Sequence, residues 1–247
     1  MPETLIVLPT YNEIDGLESI LIRVRAALPE ADVLIVDDSS PDGTGELADR
    51  LASADPGVTV LHRAEKDGLG RAYLAGFAIA LEQGYTYVVE IDADGSHDPA
   101  ELPAMVELAR GGADLVLGSR WVPGGSVVNW PWLRRAISRT GNTYARLALN
   151  SRVNDLTSGY RVFRASALRS LKLGSVSSQG YCFQVELAWQ LERAGALVVE
   201  HPITFVERAN GRSKMHLGIV TEALARVTGW GLTRGLRPKT SLARTNA

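Results

Sequence analysis

Tyr87-Val88-Val89-Glu90-Ile91 runs straight into Asp92-Ala93-Asp94-Gly95-Ser96-His97, and that into Asp98-Pro99-Ala100-Glu101. The first segment is a short, apolar, β-branched run, which suits a strand buried on both faces. The last supplies an N-cap, a proline at the first helical position and an acid at the third, so it opens a helix that continues to Arg110. Between them stands a cluster of carboxylates. Strand, acidic loop and helix in that order predict a βα unit whose loop carries the chemistry.

The pattern extends in both directions. Residues 5–8, 33–36, 58–61 and 115–118 are further apolar strands, with helical periodicity at 16–28, 45–54 and 72–82. Near-continuous apolar strands separated by helices predict a mostly parallel sheet covered on both faces. Beyond Arg120 the character changes. A long helix is expected over 132–149, a strand of mixed polarity over 157–163 and a helix over 184–193. A strand pair interrupted by Pro202 follows over 196–206, then a helix over 216–230. There is no internal repeat and no low-complexity linker, so one α/β domain over 1–232 and a flexible, basic, polar tail over 233–247 are expected.

Composition excludes several classes. With 45% apolar and 22% charged residues the chain is ordinary globular material. A net charge of −2 argues against a nucleic-acid binder, which needs a basic surplus. The single cysteine, Cys182, cannot form an internal disulfide, which fits a reducing compartment. The N-terminus lacks a basic region and a signal-length apolar run. The best apolar tract, 217–232, is interrupted by Glu222 and Arg226, so no transmembrane segment is expected and the chain reads as soluble or peripheral.

In an open α/β sheet, ligands bind beyond the carboxyl ends of the strands. There the chain places Pro9-Thr10-Tyr11-Asn12-Glu13, Asp37-Asp38-Ser39-Ser40-Pro41-Asp42-Gly43-Thr44, the Asp92 to Asp98 loop and Ser119-Arg120. Asp42 and Thr44 suit a turn and helix start, Asp98 an N-cap, and Asp37 either a hydrogen-bonded strand-end acid or a ligand. Asp92 and Asp94 read differently. Two apart on an extended segment, they would point to one side and repel unless a cation sits near them. Oxygen donors without Cys or His clusters select Mg2+ or Mn2+ over Zn2+. The familiar nucleotide loops are absent: Gly68-Leu69-Gly70 meets Tyr73 where a dinucleotide fingerprint needs glycine, and no P-loop occurs.

Taken together these clusters resemble the GT-A fold of family 2 inverting glycosyltransferases, and they are most similar to the dolichol- (polyprenol-) phosphate mannose synthases. The similarity is carried by the segments just quoted, by Gly118-Ser119-Arg120 and Leu156-Thr157-Ser158-Gly159-Tyr160-Arg161, and by Arg208 with Gly211-Arg212-Ser213-Lys214. The resemblance implies that Pro9, Tyr11, Glu13, Val36 and Asp38 hold the base and ribose of the donor. Asp92, Ala93 and Asp94 then form the DXD segment, with Asp94 and Ser96 on a divalent metal. Arg120, Arg208 and Lys214 face the diphosphate and the acceptor phosphate. Ser96 stands where the family often has Gln, Ser39 where Gly is common, and Gly95 where Leu is common.

The implied reaction is transfer of mannose from GDP-mannose to a polyprenyl phosphate with inversion, assisted by Mg2+ or Mn2+. Asp94 and Arg120 are the catalytic candidates. Because the acceptor phosphate is itself a nucleophile, Glu90, His97 and Asp155 need not act as bases, and Asp155 is expected to orient Arg161 or nearby backbone. Arg134, Arg135 and Ser138 are expected at the acceptor phosphate, beside Arg139, Trp130 and Trp132, whose mix of indoles and cations suits a membrane interface. The tail cations Arg234, Arg237, Lys239 and Arg244 add to that reading. Leu217, Val220, Leu224 and Val227 form a stripe on the last helix, with Glu222 and Arg226 paired on another side. The expected location is cytoplasmic, peripheral on the cytoplasmic face of a membrane, through surface attachment or an anchoring partner protein. The rivals are a UDP-glucose:polyprenyl-phosphate glucosyltransferase, a sugar nucleotidyltransferase, and a non-enzymatic nucleotide-sugar-binding subunit.

Overall fold

The computed structural model describes residues 2–171, 173–176, 181–207 and 217–233. The strands are β1 (Thr4–Thr10), β2 (Asp32–Asp37), β3 (Val58–His62), β4 (Tyr87–Glu90), β5 (Leu115–Ser119), β6 (Ser126–Val128), β7 (Arg161–Arg164), β8 (Val198–Pro202) and β9 (Thr204–Val206). The α-helices are α1 (Leu17–Ala27), α2 (Thr44–Ala54), α3 (Leu69–Glu82), α4 (Leu102–Arg110), α5 (Trp132–Leu149), α6 (Ala165–Ser170), α7 (Tyr181–Arg193) and α8 (Leu217–Thr233). Among the described residues seven strands form one sheet in the order β3-β2-β1-β4-β7-β5-β8, and β6 pairs with β9 in a small second sheet. In the large sheet β7 alone runs antiparallel to its neighbours.

Alternation along the central strands decides the two-layer packing. Leu5 and Val7 face one way, with Leu34 and Val36, onto Tyr73 and Phe77 of α3 and residues of α5, α6, α7 and α8. Ile6 and Leu8 face the other way, with Val33 and Ile35, onto α1, α2 and α4. Both faces are covered, which is why these strands are apolar at every position. A Cβ on Gly76 would come within 2.4 Å of the Val7 side chain, so α3 lies on β1 closer than a side chain permits.

The main expectations hold: a mostly parallel sheet, helices on both faces and the long helix at Trp132–Leu149. Asp98 caps as expected, its Oδ1 accepting from Ala100 N at 3.1 Å, although the first turn after it is a 3-10 turn. Three details differ. The strand expected over 157–163 begins only at Arg161, because 157–160 is occupied by a hydrogen-bonded loop. The strand pair around Pro202 is two strands in two different sheets. The short elements β6 and α6 carried no periodicity that would reveal them. On α8, Val227 is buried, Leu224 is exposed, and Glu222 accepts from Arg226 at 2.8 Å. The side chains of Leu217 and Val220, the basic residues Arg208 and Lys214, and the tail from 234 onward lie outside the described residues. Among the described residues no helix is long and apolar enough to cross a membrane.

Candidate active site

The chain runs outward from β1 through β2 to β3, then returns to lay β4 on the other side of β1. This is the topological switch point, where a crevice opens beyond the strand ends. The β1–β4 register ends at Val7↔Glu90, whereas β1–β2 pairing continues to Thr10↔Asp37. Pro9, which lacks an amide donor, is therefore tolerated in a central strand because β4 has already turned away. Pro9 and Val36 are direct register partners, so two residues far apart in sequence form one apolar floor.

Side-chain hydrogen bonds build the wall above that floor. Asp37 accepts from Thr10 Oγ1 at 3.1 Å and from Ser40 N and Oγ at 3.1 and 2.6 Å, which makes it a strand-end acid that shapes the loop. Asp42 accepts from Thr44 N at 3.0 Å and from Ile14 N at 3.3 Å, and Glu13 N donates to Thr44 Oγ1 at 3.0 Å. Ser39 adopts φ +58°, the left-handed region in which glycine is free of strain. Buried Asp38 is paired with Arg63, the first residue after β3. Tyr11 carries the Lys66 ammonium 3.6 Å above its ring. Arg63 and Lys66 are site residues that the sequence motifs do not single out. Their signal is the same as that of the acids: polar residues directly after an apolar strand.

The acidic loop departs from the extended geometry expected of it. β4 ends at Glu90, and Asp92 to Ser96 form a turn with Gly95 at φ +73°. Asp92 and Asp94 therefore do not owe their arrangement to strand alternation. Asp92 Oδ1 accepts from Tyr73 OH at 3.0 Å, and its Oδ2 lies 3.7 Å from His97 Nε2. Asp94 Oδ1 accepts from Ser96 N at 3.0 Å and from the Ser96 hydroxyl. Ala93 is buried, its carbonyl 3.7 Å from where a Cβ on Gly16 would stand, so the start of α1 closes against the loop. Behind it Glu90 is fully buried. Burial pushes its carboxyl up to about 8 against the pull of Arg161, 3.8 Å away.

Hard oxygen donors suit Mg2+ or Mn2+. The described residues contain no group of three or more His, Cys, Asp or Glu able to enclose a metal alone. An ion shared with a substrate diphosphate takes only one or two protein carboxylates, and Asp94 with its neighbour Ser96 fits that demand.

Arg120 follows β5 and is 6% exposed. Its Nε and Nη2 each donate to Asp155 at 2.7 Å, its backbone N donates to the same carboxylate at 3.0 Å, and Nη2 also reaches Thr157 at 2.9 Å. Burial opposes the charged form of Asp155, yet the Arg120 guanidinium holds its carboxyl below the ordinary range. Asp155 thus orients the Arg120 side chain rather than Arg161, and it also holds nearby backbone, the Arg120 amide, as the other half of the expectation had it. Arg161 instead donates to the carbonyls of Leu156, Ser158 and Gln184 at 2.7–2.8 Å. Trp121, Trp130 and Phe205 surround the Arg120 guanidinium at 5.4–5.8 Å.

The small β6–β9 sheet connects this box to the acidic loop and to α5. Val206 N donates to Ser96 O at 3.0 Å, and Glu207 N to Val128 O at 3.2 Å. Arg134 pairs with Glu207 and stacks 4.3 Å over Trp130. Arg135 Nη2 donates to Val127 O at 3.1 Å, and Arg139 lies 5.3 Å over Trp121. Ser138 O accepts from Asn142 at 3.1 Å, and Trp132 is 79% exposed at the start of the helix. The geometry therefore unites two clusters: strand-end residues of β1, β2 and β4, and the cationic, tryptophan-rich start of α5.

Comparison with known proteins agrees with this arrangement. Residues 5–172 match the Glycosyl transferase family 2 model. An undecaprenyl-phosphate mannosyltransferase of Micrococcus luteus is 54% identical over 96% of this chain and 99% of its own length. A polyprenol monophosphomannose synthase of Mycolicibacterium smegmatis is 52% identical over 93% of this chain and 87% of its own. A mannosyltransferase of Pyrobaculum calidifontis, solved in complex with GDP-Man and Mn2+, shares the fold with a TM-score of 0.60 at 19% identity, over 96% of this chain and 65% of that one. With its sheet order, its acidic loop at the switch point and more than half its length matched, the chain belongs to glycosyl transferase family 2 and is a glycosyltransferase.

Proposed function

We propose that the enzyme transfers mannose from GDP-mannose to a polyprenyl phosphate with inversion at C1. The observation that carries this reading is the junction of the two clusters: Val206 hydrogen-bonds the acidic loop at Ser96, while the next residue, Glu207, pairs with Arg134 of α5. A donor cleft and a cationic rim suited to a lipid phosphate thus share one edge, and relatives at 52–54% identity are named for lipid-phosphate mannosyl transfer. In this reading Pro9, Tyr11, Glu13, Val36 and Asp38 hold the nucleotide. Asp92, Ala93 and Asp94 face the diphosphate, and Arg208 and Lys214 would add positive charge to it. Asp94 and Ser96 would hold a divalent ion, which supplies positive charge to the departing diphosphate. Arg120, fixed by Asp155, completes the wall toward the acceptor, where Arg134, Arg135 and Ser138 receive the lipid phosphate.

The acceptor supplies its own nucleophile. A phosphate monoester with a second pKa near ~6 is mostly dianionic at neutral pH, so its oxygen attacks C1 as the C1–O bond to the GDP β-phosphate breaks, and no proton has to move. Buried Glu90, paired with Arg161, is then free to serve structure. Incubation with GDP-mannose, Mg2+ or Mn2+ and a short polyprenyl phosphate should yield a lipid heavier by one hexose, with a β-linkage by NMR. Preferential transfer from UDP-glucose in direct competition would overturn the donor assignment. The same rim, with its exposed Trp132 and Arg135, suits peripheral attachment to an anionic membrane face.

A further inference from the structure

Arg134 is paired with a carboxylate from the opposite side of the rim. Glu207 directly follows β9, and its backbone N is held by Val128 O at 3.2 Å, so the side chain starts from a fixed point. The Trp130 ring beneath the Arg134 guanidinium, at 4.3 Å, fixes the other partner. Arg134 and Glu207 are both partly exposed, at 20% and 29%, so the contact is open to a competing anion from solvent. We propose that Glu207 is an internal stand-in for the acceptor phosphate, which holds Arg134 in its receiving orientation and is displaced when the lipid phosphate arrives. This rests on the reading of Arg134 as an acceptor-phosphate residue. Arginine binds carboxylate and phosphate oxygens with the same planar fork, and a dianionic phosphate offers it more charge than a carboxylate does. A phosphate delivered beside the rim by its lipid would displace Glu207, whereas dilute phosphate from bulk water would compete poorly.

The test uses the whole chain and two probes, inorganic phosphate and a short-chain polyprenyl phosphate. Binding is measured by calorimetry at low and high salt, with thermal melting as a control for folding. Glu207→Gln keeps the shape and removes the charge. It should tighten both probes about fivefold at low salt, as expected for release of a partly exposed ion pair, with the gain shrinking at high salt. Acceptor KM should fall by the same factor, inhibition by inorganic phosphate should strengthen, and the KM for GDP-mannose should not move. Arg134→Gln should weaken both probes, and Glu207→Gln added to it should have no further effect. Unchanged or weaker phosphate binding in Glu207→Gln, with Arg134→Gln still weakened, would make Glu207 a simple strut and overturn the proposal alone. Unchanged binding in Arg134→Gln would overturn the acceptor reading beneath it as well.

Discussion

At the carboxyl ends of β1 and β2, the acids are absorbed into a closed set of hydrogen bonds: Asp37 with Thr10 and Ser40, Asp42 with Ile14 and Thr44, Asp38 with Arg63. Along the start of α5 the cations are arranged otherwise. Arg134 reaches Glu207, Arg139 lies over Trp121, and Trp132 stands almost fully in solvent. Acids that each accept several hydrogen bonds are held rigidly, whereas a single partly exposed ion pair is worth about 1 kcal/mol and rearranges more readily. The difference suits the proposed reaction, in which a nucleotide of fixed shape would meet a preformed cleft and a lipid phosphate an adaptable rim.

The comparison can be broken most severely at the strut behind the rim. Asp155→Asn leaves the buried Arg120 guanidinium without its counter-charge and should cost about 3–5 kcal/mol in denaturant unfolding, as broken buried pairs do. Because the folded Asp155 carboxyl lies below its unfolded value, this stabilisation is present above pH ~3.9 and fades as pH falls through the folded value. The variant should therefore show a flatter acid limb, and a loss below about 1 kcal/mol would mean that the pair does not support the rim.

Next in size is the donor cleft itself. Asp94→Asn should lower kcat by about a hundredfold or more with melting temperature nearly unchanged, since the change removes charge at the diphosphate and leaves the hydrogen-bonding shape of the loop. Chelation of divalent ions should abolish wild-type turnover and Mg2+ or Mn2+ restore it. Full activity in chelator would sink the metal assignment.

The rim should respond more mildly. Arg134→Gln with Arg135→Gln should raise acceptor KM about tenfold, the effect of one to two charge-assisted contacts, and leave GDP-mannose affinity where it was. The wild-type protein should pellet with anionic liposomes at low salt and release at high salt, the double variant less so. Equal binding to neutral vesicles, or an equal loss of donor affinity, would erase the distinction between the two regions. Smallest of all, Tyr73→Phe removes one hydrogen bond to Asp92 without changing the packing beside Phe183, and kcat should fall about threefold to tenfold. An unaltered rate would show that the loop holds Asp92 without help from α3.

What the residues disclose in advance follows the range of the forces involved. Strand runs such as Leu5 to Leu8 and the N-cap at Asp98 obey periodicities of two and 3.6 residues, which any reader of the chain can count. Asp42 and Thr44 also declare themselves, because a turn acid that reaches an amide two residues on is a local event. The turn at Asp92 to Ser96 was harder, for an apolar strand followed by acids does not reveal where extension stops. That depends on β1 and β4 parting after Val7↔Glu90.

The chain by itself determined the α/β class, the two-faced parallel sheet and the gathering of carboxylates at the strand ends, since these arise from hydrophobic alternation and from the rule that parallel strands share one carboxyl edge. Tertiary structure alone decided that Asp155 belongs to Arg120, that Arg63 secures Asp38, that Tyr73 holds Asp92, and that Glu207 meets Arg134. Each of those contacts joins residues 19 to 73 positions apart. Sequence spacing carries no record of such distances, because they are set by how the layers pack.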